Sequence, residues 1–272
     1  MTASISRRML AGLASLTFLL AACGGGSDSS AVSATPGAGN PGNGNPVGGG
    51  PVSGGSDGSV PPATGGSTTP LSFAHAPALP AAPSALPVVA ARNICENVAI
   101  GNRRIENLRV PDGATCVLDA GTVIDGNIEL GTGSSLFARS LRLDGNIQGQ
   151  RARDVLVERS IIGGSVQLDI GGAVGVYEST IDGNIQLDGN AGGLYVLGNQ
   201  LDGDVQLFGN RAGATVNENR LDGNIQVEDN RGALEISRNR ANGNLQCKQN
   251  DPAPTGFGNI ADSLEDQCRS LG

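Results

Sequence analysis

The stretch IDGNIQLDGN, residues 181–190, decides the fold because it is one copy of a repeat. Versions of its Asp-Gly-Asn turn occur seven times, with central glycines at Gly126, Gly145, Gly164, Gly183, Gly203, Gly223 and Gly243. The numbers of successive glycines differ by 19 up to Gly183 and by 20 after it. So regular a period indicates a solenoid, in which each repeat forms one unit and stacks on the next.

Apolar and polar residues alternate on both sides of each turn. Around Gly183, Ile185 and Leu187 follow the turn, Val174 and Val176 precede it, and Ile181 stands just before it. A period of two is typical of strands with one buried face. Three short strands per repeat predict an all-β fold, a single-stranded parallel β-helix of about eight rungs, each rung being one copy of the repeat. Because parallel crossovers are overwhelmingly right-handed, we expect a right-handed β-helix over residues 91–272.

Four of the five cysteines lie at the two ends of the repeat array. The separation between Cys95 and Cys116 equals that between Cys247 and Cys268, and it is close to one rung. The spacing predicts disulfides Cys95–Cys116 and Cys247–Cys268 that cap a solenoid with otherwise open ends; free thiols and metal ligands are the alternatives. The sequence departs from the repeat at Asp251, and we expect a closing loop from there onward.

The strand after each turn carries two columns of polar residues that we expect to face outward. They form an amide-rich face that either stabilises itself through stacked hydrogen bonds or docks a polymer such as a glycan, with ice binding a less favoured alternative. The residues of this candidate binding face are Asn127, Asn146, Gln148, Gln167, Asn184, Gln186, Gln206, Asn224, Gln226, Asn244 and Gln246.

Two further asparagine columns fall at turns. One contains Asn199, Asn219 and Asn239, and the other contains Asn190, Asn210, Asn230 and Asn250. Asparagine tolerates left-handed backbone and can hydrogen-bond turn amides, so both columns are predicted to be structural. They resemble the asparagine ladders of right-handed β-helix proteins.

A column of acidic residues precedes the turn glycines at Asp125, Asp144, Asp182, Asp202 and Asp222. We expect each carboxylate to cap the amides of its own turn. Calcium bridging between rungs, with Asp182, Asp202 and Asp222 as candidate ligands, is a weaker alternative. The column could also supply the paired carboxylates of a glycoside hydrolase.

Charge and composition disfavour several classes of function. The net charge of −8 makes nucleic acid a poor partner. The single histidine, His75, precedes the repeats, so no Ser-His or Cys-His pair can be assembled, and no catalytic residue or cofactor is predicted. Five arginines that follow one another closely are more typical of solvated turns than of a site for acidic glycans: Arg139, Arg142, Arg151, Arg153 and Arg159.

The N-terminus has the layout of an export signal. Arg7 and Arg8 precede an apolar run that ends in Leu20-Ala21-Ala22-Cys23. This tetrapeptide resembles the lipobox of bacterial lipoproteins, and the resemblance implies a signal peptide at residues 1–22 and acylation of Cys23. Gly24 follows where the family's inner-membrane retention signal would have Asp, so the resemblance also implies an outer-membrane destination. Residues 23–90 are rich in Gly, Pro and Ser and are predicted to be a disordered tether.

These features predict an exported, lipid-anchored module of the bacterial cell envelope. Its function is expected to be structural, adhesive or binding rather than enzymatic, and its partners are the membrane, through the lipid, and a glycan or another envelope polymer. The alternative is a polysaccharide lyase or hydrolase that uses the aspartate column. Such enzymes resemble this chain in architecture only, and architecture alone does not carry function.

Overall fold

The computed structural model describes residues 82–83, 86–87 and 93–272. The predicted signal peptide at residues 1–22, the predicted lipidation site Cys23 and the tether up to residue 81 lie outside the described residues. Among the described residues there is no helix, and every strand pairs in parallel with its neighbours one rung away. The predicted all-β parallel solenoid of about eight rungs is therefore confirmed.

Each rung contributes one strand to each of three sheets. The strands in chain order are β1 (Val98–Ile100), β2 (Arg104–Ile105), β3 (Leu108–Val110), β4 (Thr115–Leu118), β5 (Val123–Ile124), β6 (Ile128–Leu130), β7 (Ser135–Arg139), β8 (Arg142–Leu143), β9 (Ile147–Gln150), β10 (Asp154–Glu158), β11 (Ile161–Ile162), β12 (Val166–Asp169), β13 (Ala173–Tyr177), β14 (Thr180–Ile181), β15 (Ile185–Asp188), β16 (Leu194–Leu197), β17 (Gln200–Leu201), β18 (Val205–Phe208), β19 (Ala214–Asn217), β20 (Arg220–Leu221), β21 (Ile225–Glu228), β22 (Leu234–Ser237), β23 (Arg240–Ala241), β24 (Leu245–Lys248) and β25 (Leu264–Asp266).

The sheets follow directly from the repeat. Sheet 1 has the order β1-β4-β7-β10-β13-β16-β19-β22, and sheet 2 has the order β2-β5-β8-β11-β14-β17-β20-β23. Sheet 3 runs β25-β24-β21-β18-β15-β12-β9-β6-β3. Sheet 2 strands are only two residues long and stand just before the Asp-Gly-Asn turns, so the turns connect sheet 2 to sheet 3.

The core is built from columns of identical or similar apolar residues. In sheet 3, Ile185 pairs with Val166 on one side and Val205 on the other, and Leu187 pairs with Leu168 and Leu207 in the same way. These side chains are all buried. Because each inward residue meets its own counterpart, an apolar position in the repeat becomes a continuous apolar column along the axis.

The turn glycines are needed for close approach between rungs and not for left-handed backbone, since none of the seven has a positive φ. A Cβ built on Gly203 would lie 2.6 Å from the carbonyl oxygen of Gly183 and would collide with Asn184 Oδ1. The side chain of one rung therefore lies directly under the turn glycine of the next.

Residues 251–266, expected to form a closing loop clipped by the second cysteine pair, follow the course of a further rung. Asp251, Thr255 and Ile260 form parallel bridges with Arg231, Glu235 and Arg240, and β25 pairs with β24. Thr255 N donates to Leu234 O at 2.9 Å, and Ile236 N donates to Thr255 O at 2.8 Å. The repeated side-chain pattern ends at Asp251, but the backbone stays in register with the preceding rung. It thereby supplies hydrogen-bond partners to the edges of the last strands.

Both predicted disulfides are confirmed as pairs at disulfide distance. The Cα–Cα distance is 5.5 Å for Cys95–Cys116 and 5.2 Å for Cys247–Cys268. All four cysteines are fully buried and belong to the apolar core. Each bridge therefore closes one end of the core by tying the end segment to an adjoining rung.

Gly203→Ala is expected to lower the free energy of unfolding by about 2 kcal/mol, since forcing an extra methyl group into a packed interior costs roughly 1–3 kcal/mol. Urea denaturation followed by circular dichroism measures the change. Gly101→Ala is the matched control, because a Cβ there would meet only Asp119 Cβ at 3.6 Å. Equal stability of the two variants would contradict the close-approach explanation.

Candidate functional site: the polar faces of the β-helix

The outer face of sheet 3 carries a ladder of glutamines. Gln167 Nε2 donates to Gln186 Oε1 at 2.6 Å, Gln186 Nε2 to Gln206 Oε1 at 2.7 Å, and Gln206 Nε2 to Gln226 Oε1 at 2.9 Å. One rung further, Gln246 Nε2 donates to the carboxylate of Glu265 at 2.9 Å. Every donated bond points toward the C-terminal rung, and we call the four residues 167, 186, 206 and 226 the Gln ladder.

The Gln ladder keeps hydrogen-bonding capacity for a ligand. A side-chain amide has two N–H groups and an oxygen with two lone pairs. Within the ladder, Gln186 and Gln206 each use one N–H and one acceptor position. Both side chains are partly exposed, so a second N–H and a second acceptor position remain at the surface of each rung.

The asparagine column of the predicted binding face accepts hydrogen bonds from the backbone with its side-chain oxygens. Asn127 Oδ1 accepts from Asn146 N at 2.8 Å, Asn184 Oδ1 accepts from Asp204 N at 2.7 Å, and Asn224 Oδ1 accepts from Asn244 N at 2.9 Å. These side chains are only partly exposed. They hold the turn of the following rung, and the outward amide face reduces to its glutamines.

The two predicted structural asparagine columns lie in the interior at corners of the β-helix. Asn219 is fully buried, and its Nδ2 donates to Val196 O at 2.7 Å and to Asn239 Oδ1 at 3.0 Å. Its Oδ1 accepts from the backbone N and from Nδ2 of Asn199, each at 3.0 Å. The side chain therefore uses its full hydrogen-bonding capacity, as a buried amide requires.

Sequence reasoning missed the residues that extend these corner columns. Ser179 N donates to Asn199 Oδ1 at 3.0 Å, and Ser160 N donates to Ser179 Oγ at 3.1 Å, so serine continues one column toward the N-terminus. Asn259 ends the same column, and Gln267 Oε1 accepts from Asn250 N at 2.9 Å at the end of the other. Counting the period of the repeat back from Asn199 would have found both serines.

The aspartate column is exposed and does not cap its own turns. Asn184 N, which Asp182 would have to cap, donates instead to Ser165 Oγ at 3.0 Å, and Gly183 N donates to Gly164 O at 3.0 Å. The predicted capping is therefore wrong: the preceding rung has already satisfied these amides. Across the described residues, no group of three His, Cys, Asp or Glu side chains could hold a metal ion, Asp182, Asp202 and Asp222 included.

A shallow groove of about 220 Å³ lies on the outer face of sheet 2. Asp202 and Asp222 line it on one side, and Arg220 and Arg240 line it on the other. The arginine column was also missed, although the two arginines are one repeat apart in the sequence. Charges of both signs in an open groove suit surface solvation better than selective binding of an ion.

A depression of about 360 Å³ opens on the outer face of sheet 3 beside Gly149. Glu129, Gln148, Gln167 and Asp169 line it. Burial raises the pKa of the Asp169 carboxyl above its ordinary value, and the nearby Asp188 raises it further, while a hydrogen bond with Gln150 acts in the opposite direction. The depression therefore adjoins the Gln ladder and contains two carboxyl groups.

The arginine cluster of the irregular rungs is balanced by neighbouring carboxylates. Glu158 lies 2.8 Å from Arg139 and 3.6 Å from Arg159, and Arg153 and Arg142 pair with Asp154 at 3.3 Å and Asp144 at 3.6 Å. The cluster thus presents less net positive charge to an acidic polymer than its sequence indicates.

Comparison with protein-family models, with curated proteins and with solved structures finds no significant match to this chain. Within the described residues there is also no helix long and apolar enough to cross a membrane.

Asn219→Asp is expected to destabilise the β-helix by on the order of 3 kcal/mol, because a carboxylate oxygen would face two carbonyl oxygens in place of the buried donor Nδ2. Urea denaturation at neutral pH measures this loss. Asn184→Asp is the matched control, and it should cost less than about 1 kcal/mol, since Asp204 already occupies the same column. If the two substitutions were equally tolerated, a structural role of the corner ladder would be wrong.

Proposed function

We propose that this protein is an exported, lipid-anchored and non-enzymatic binding module of the bacterial cell envelope. The Gln ladder is the observation that carries the proposal. It presents a spare N–H and a spare oxygen lone pair on successive rungs, at the spacing of neighbouring strands, about 4.8 Å. A row of identical donors and acceptors suits a polymer with regularly repeated hydroxyl groups, which is the chemistry of a glycan.

The hydrogen bonds within the ladder also favour binding. Each glutamine is oriented by its neighbours before a ligand arrives, so less side-chain entropy is lost on binding than for an isolated glutamine. The rigid β-helix also fixes the spacing of successive rungs, so this spacing does not have to be ordered when a ligand binds. A polymer that matches this spacing gains affinity through repeated weak contacts along its length.

The charges around the ladder favour a neutral polymer. The next outward column of sheet 3 contains Asp169, Asp188 and Glu228, with Phe208 between the last two. Carboxylates there repel acidic polymers, in keeping with the net charge of −8. The partly exposed ring of Phe208 offers an apolar surface beside the amides, a combination common in ligand sites.

Location at the envelope rests on the N-terminal sequence and on the cysteines. The Leu20-Ala21-Ala22-Cys23 motif supports lipid attachment at Cys23. Two cysteine pairs at disulfide distance support an oxidising compartment, where such bonds persist. The predicted tether then lets the β-helix reach a polymer away from the membrane.

The double variant Gln186→Ala/Gln206→Ala is expected to weaken binding to a polysaccharide about tenfold or more, since each lost hydrogen bond contributes about 0.5–1.5 kcal/mol. Co-sedimentation with insoluble polysaccharides and with peptidoglycan sacculi measures the binding, and thermal unfolding checks that the variant is folded. Thr180→Ala/Gln200→Ala, a pair of exposed residues on sheet 2, is the control. Unchanged binding by the Gln186→Ala/Gln206→Ala protein would refute the proposed face.

A carbohydrate-active enzyme is the second candidate, and the depression at Gly149 is the observation that favours it. Its two carboxyl groups, Glu129 and Asp169, and the raised pKa of Asp169 fit general acid catalysis better than the exposed aspartate column does. Release of reducing ends from polysaccharides tests this candidate. Turnover that is lost in Asp169→Asn but kept in Asp182→Asn/Asp202→Asn would replace the binding proposal with an enzymatic one.

Cys23→Ser is expected to abolish incorporation of radiolabelled palmitate and to release the protein from the membrane fraction, because the acyl chains supply its anchoring. Metabolic labelling and membrane fractionation measure both effects. Cys268→Ser controls for the loss of any one cysteine and should keep the label. Palmitate incorporation in the Cys23→Ser protein would show that the lipid is attached elsewhere.

A further inference from the structure

The outer face of sheet 1 carries a column that is apolar over five consecutive rungs. The register pairs Val117 with Phe137, Phe137 with Leu156, Leu156 with Gly175 and Gly175 with Tyr195. We call these five residues the apolar stripe. They alternate with core residues and point outward, yet only 6% of Phe137 and 5% of Tyr195 is exposed.

Residues that precede the β-helix cover the N-terminal half of the stripe. Ala82 and Pro83 line a cavity of about 190 Å³ together with Val117, Phe137 and Leu156. Ala99 N donates a hydrogen bond to Pro87 O at 3.1 Å. Ala82 and Pro83 therefore lie beside the stripe, and Pro87 lies nearer the N-terminal end of sheet 1, at Ala99.

The length of this segment fits an extended conformation. Residues 82 to 87 span five residue steps, or roughly 16 Å at about 3.3 Å per residue. Leu156 and Ala99 lie three strand spacings apart along sheet 1, or about 14 Å. Gly175 and Tyr195 lie one and two strands beyond Leu156, a distance that about three further extended residues would cover. That count leads back from Ala82 to Leu79.

The C-terminal half of the stripe contains a tyrosine hydroxyl that lacks a hydrogen bond. Tyr195 Oη is buried and has no hydrogen-bond partner among the described residues. Its ring stacks on that of Tyr177 with the centroids 6.4 Å apart. Gly175, which lies between Leu156 and Tyr195 in the stripe, has no side chain and is nevertheless buried.

The sequence upstream of Ala82 has the chemistry that this surface needs. Residues 77–83 read PALPAAP, a composition that favours the extended polyproline II conformation. Such a segment has no internal hydrogen bonds, so its carbonyl groups are free to accept from a tyrosine hydroxyl. Recognition of proline-rich segments by aromatic grooves uses the same features.

We propose that residues 77–87 form a strap that docks on the apolar stripe. Pro80 lies over Gly175, Leu79 covers the ring of Tyr195, and a backbone carbonyl beside Leu79 accepts the hydrogen bond of Tyr195 Oη. The predicted tether then ends near residue 77 and not at residue 90. Segment length and the contacts of Ala82, Pro83 and Pro87 favour this occupant over a second copy of the protein.

Tyrosine spectroscopy tests the strap, because the chain contains no tryptophan and only two tyrosines, Tyr177 and Tyr195. Burial raises the pKa of both hydroxyls, so the intact protein should form tyrosinate only at strongly alkaline pH. In the full chain, Leu79→Asp is expected to lower the midpoint of tyrosinate formation by about one pH unit and to increase acrylamide quenching of tyrosine fluorescence. The midpoint falls because neutral tyrosine loses its apolar cover.

Val52→Asp is the matched control, since it adds the same charge far upstream of the strap and should leave both readings unchanged. Circular dichroism establishes that the β-helix is folded in each variant. Identical titration and quenching of Leu79→Asp and the unmodified chain would overturn the proposal. Tyrosine protection that declines on dilution would also overturn it, by assigning the stripe to a second copy.

Discussion

Hydrogen bonding between equivalent residues of neighbouring rungs is the interaction on which the rest of the structure depends. It places each side chain against its own counterpart in the next copy of the repeat. An apolar residue gains from such a neighbour, but a charged residue is repelled by it. An amide is the polar group that suits the arrangement best, because it donates and accepts at once and can bond to a copy of itself without limit.

This constraint explains where each polar residue type lies. Asn199, Asn219 and Asn239 fill a buried column because every amide bonds to the next. Glutamines do the same on the outer face of sheet 3. Aspartates cannot, so Asp182 and Asp202 lie in an exposed column where water separates their charges. Asp204 is the informative exception: its neighbour Asn224 donates both a backbone and a side-chain N–H to it.

Features that depend on one rung or on the period were predictable from the sequence. The period and the alternation around Gly183 predicted the three sheets, the core columns and the reach of both cysteine pairs. Features that depend on where a side chain points, and on which neighbour it bonds to, were not predictable from the sequence. Asn184 and Gln186 both alternate with buried residues, and only the structure shows that Asn184 bonds to the backbone of the next rung while Gln186 keeps free capacity. The rung at residues 251–266 was missed because its backbone keeps a register that its side chains do not display.

The apolar stripe was missed for a related reason. Phe137, Leu156 and Tyr195 alternate with core residues, so their outward positions are apparent once the register is known. An outward apolar residue in one rung carries no signal of its own, since single exposed apolar side chains are ordinary.

The Gln ladder and the asparagine column of sheet 3 align their side-chain amides in opposite directions. Glutamine N–H groups donate toward the C-terminal rung, whereas Asn146 and Asn224 donate theirs toward the N-terminal rung. The dipoles of the two neighbouring columns therefore oppose one another along the axis. A polymer lying along sheet 3 would meet a row of local donors and acceptors, and not a field that runs from one end of the β-helix to the other.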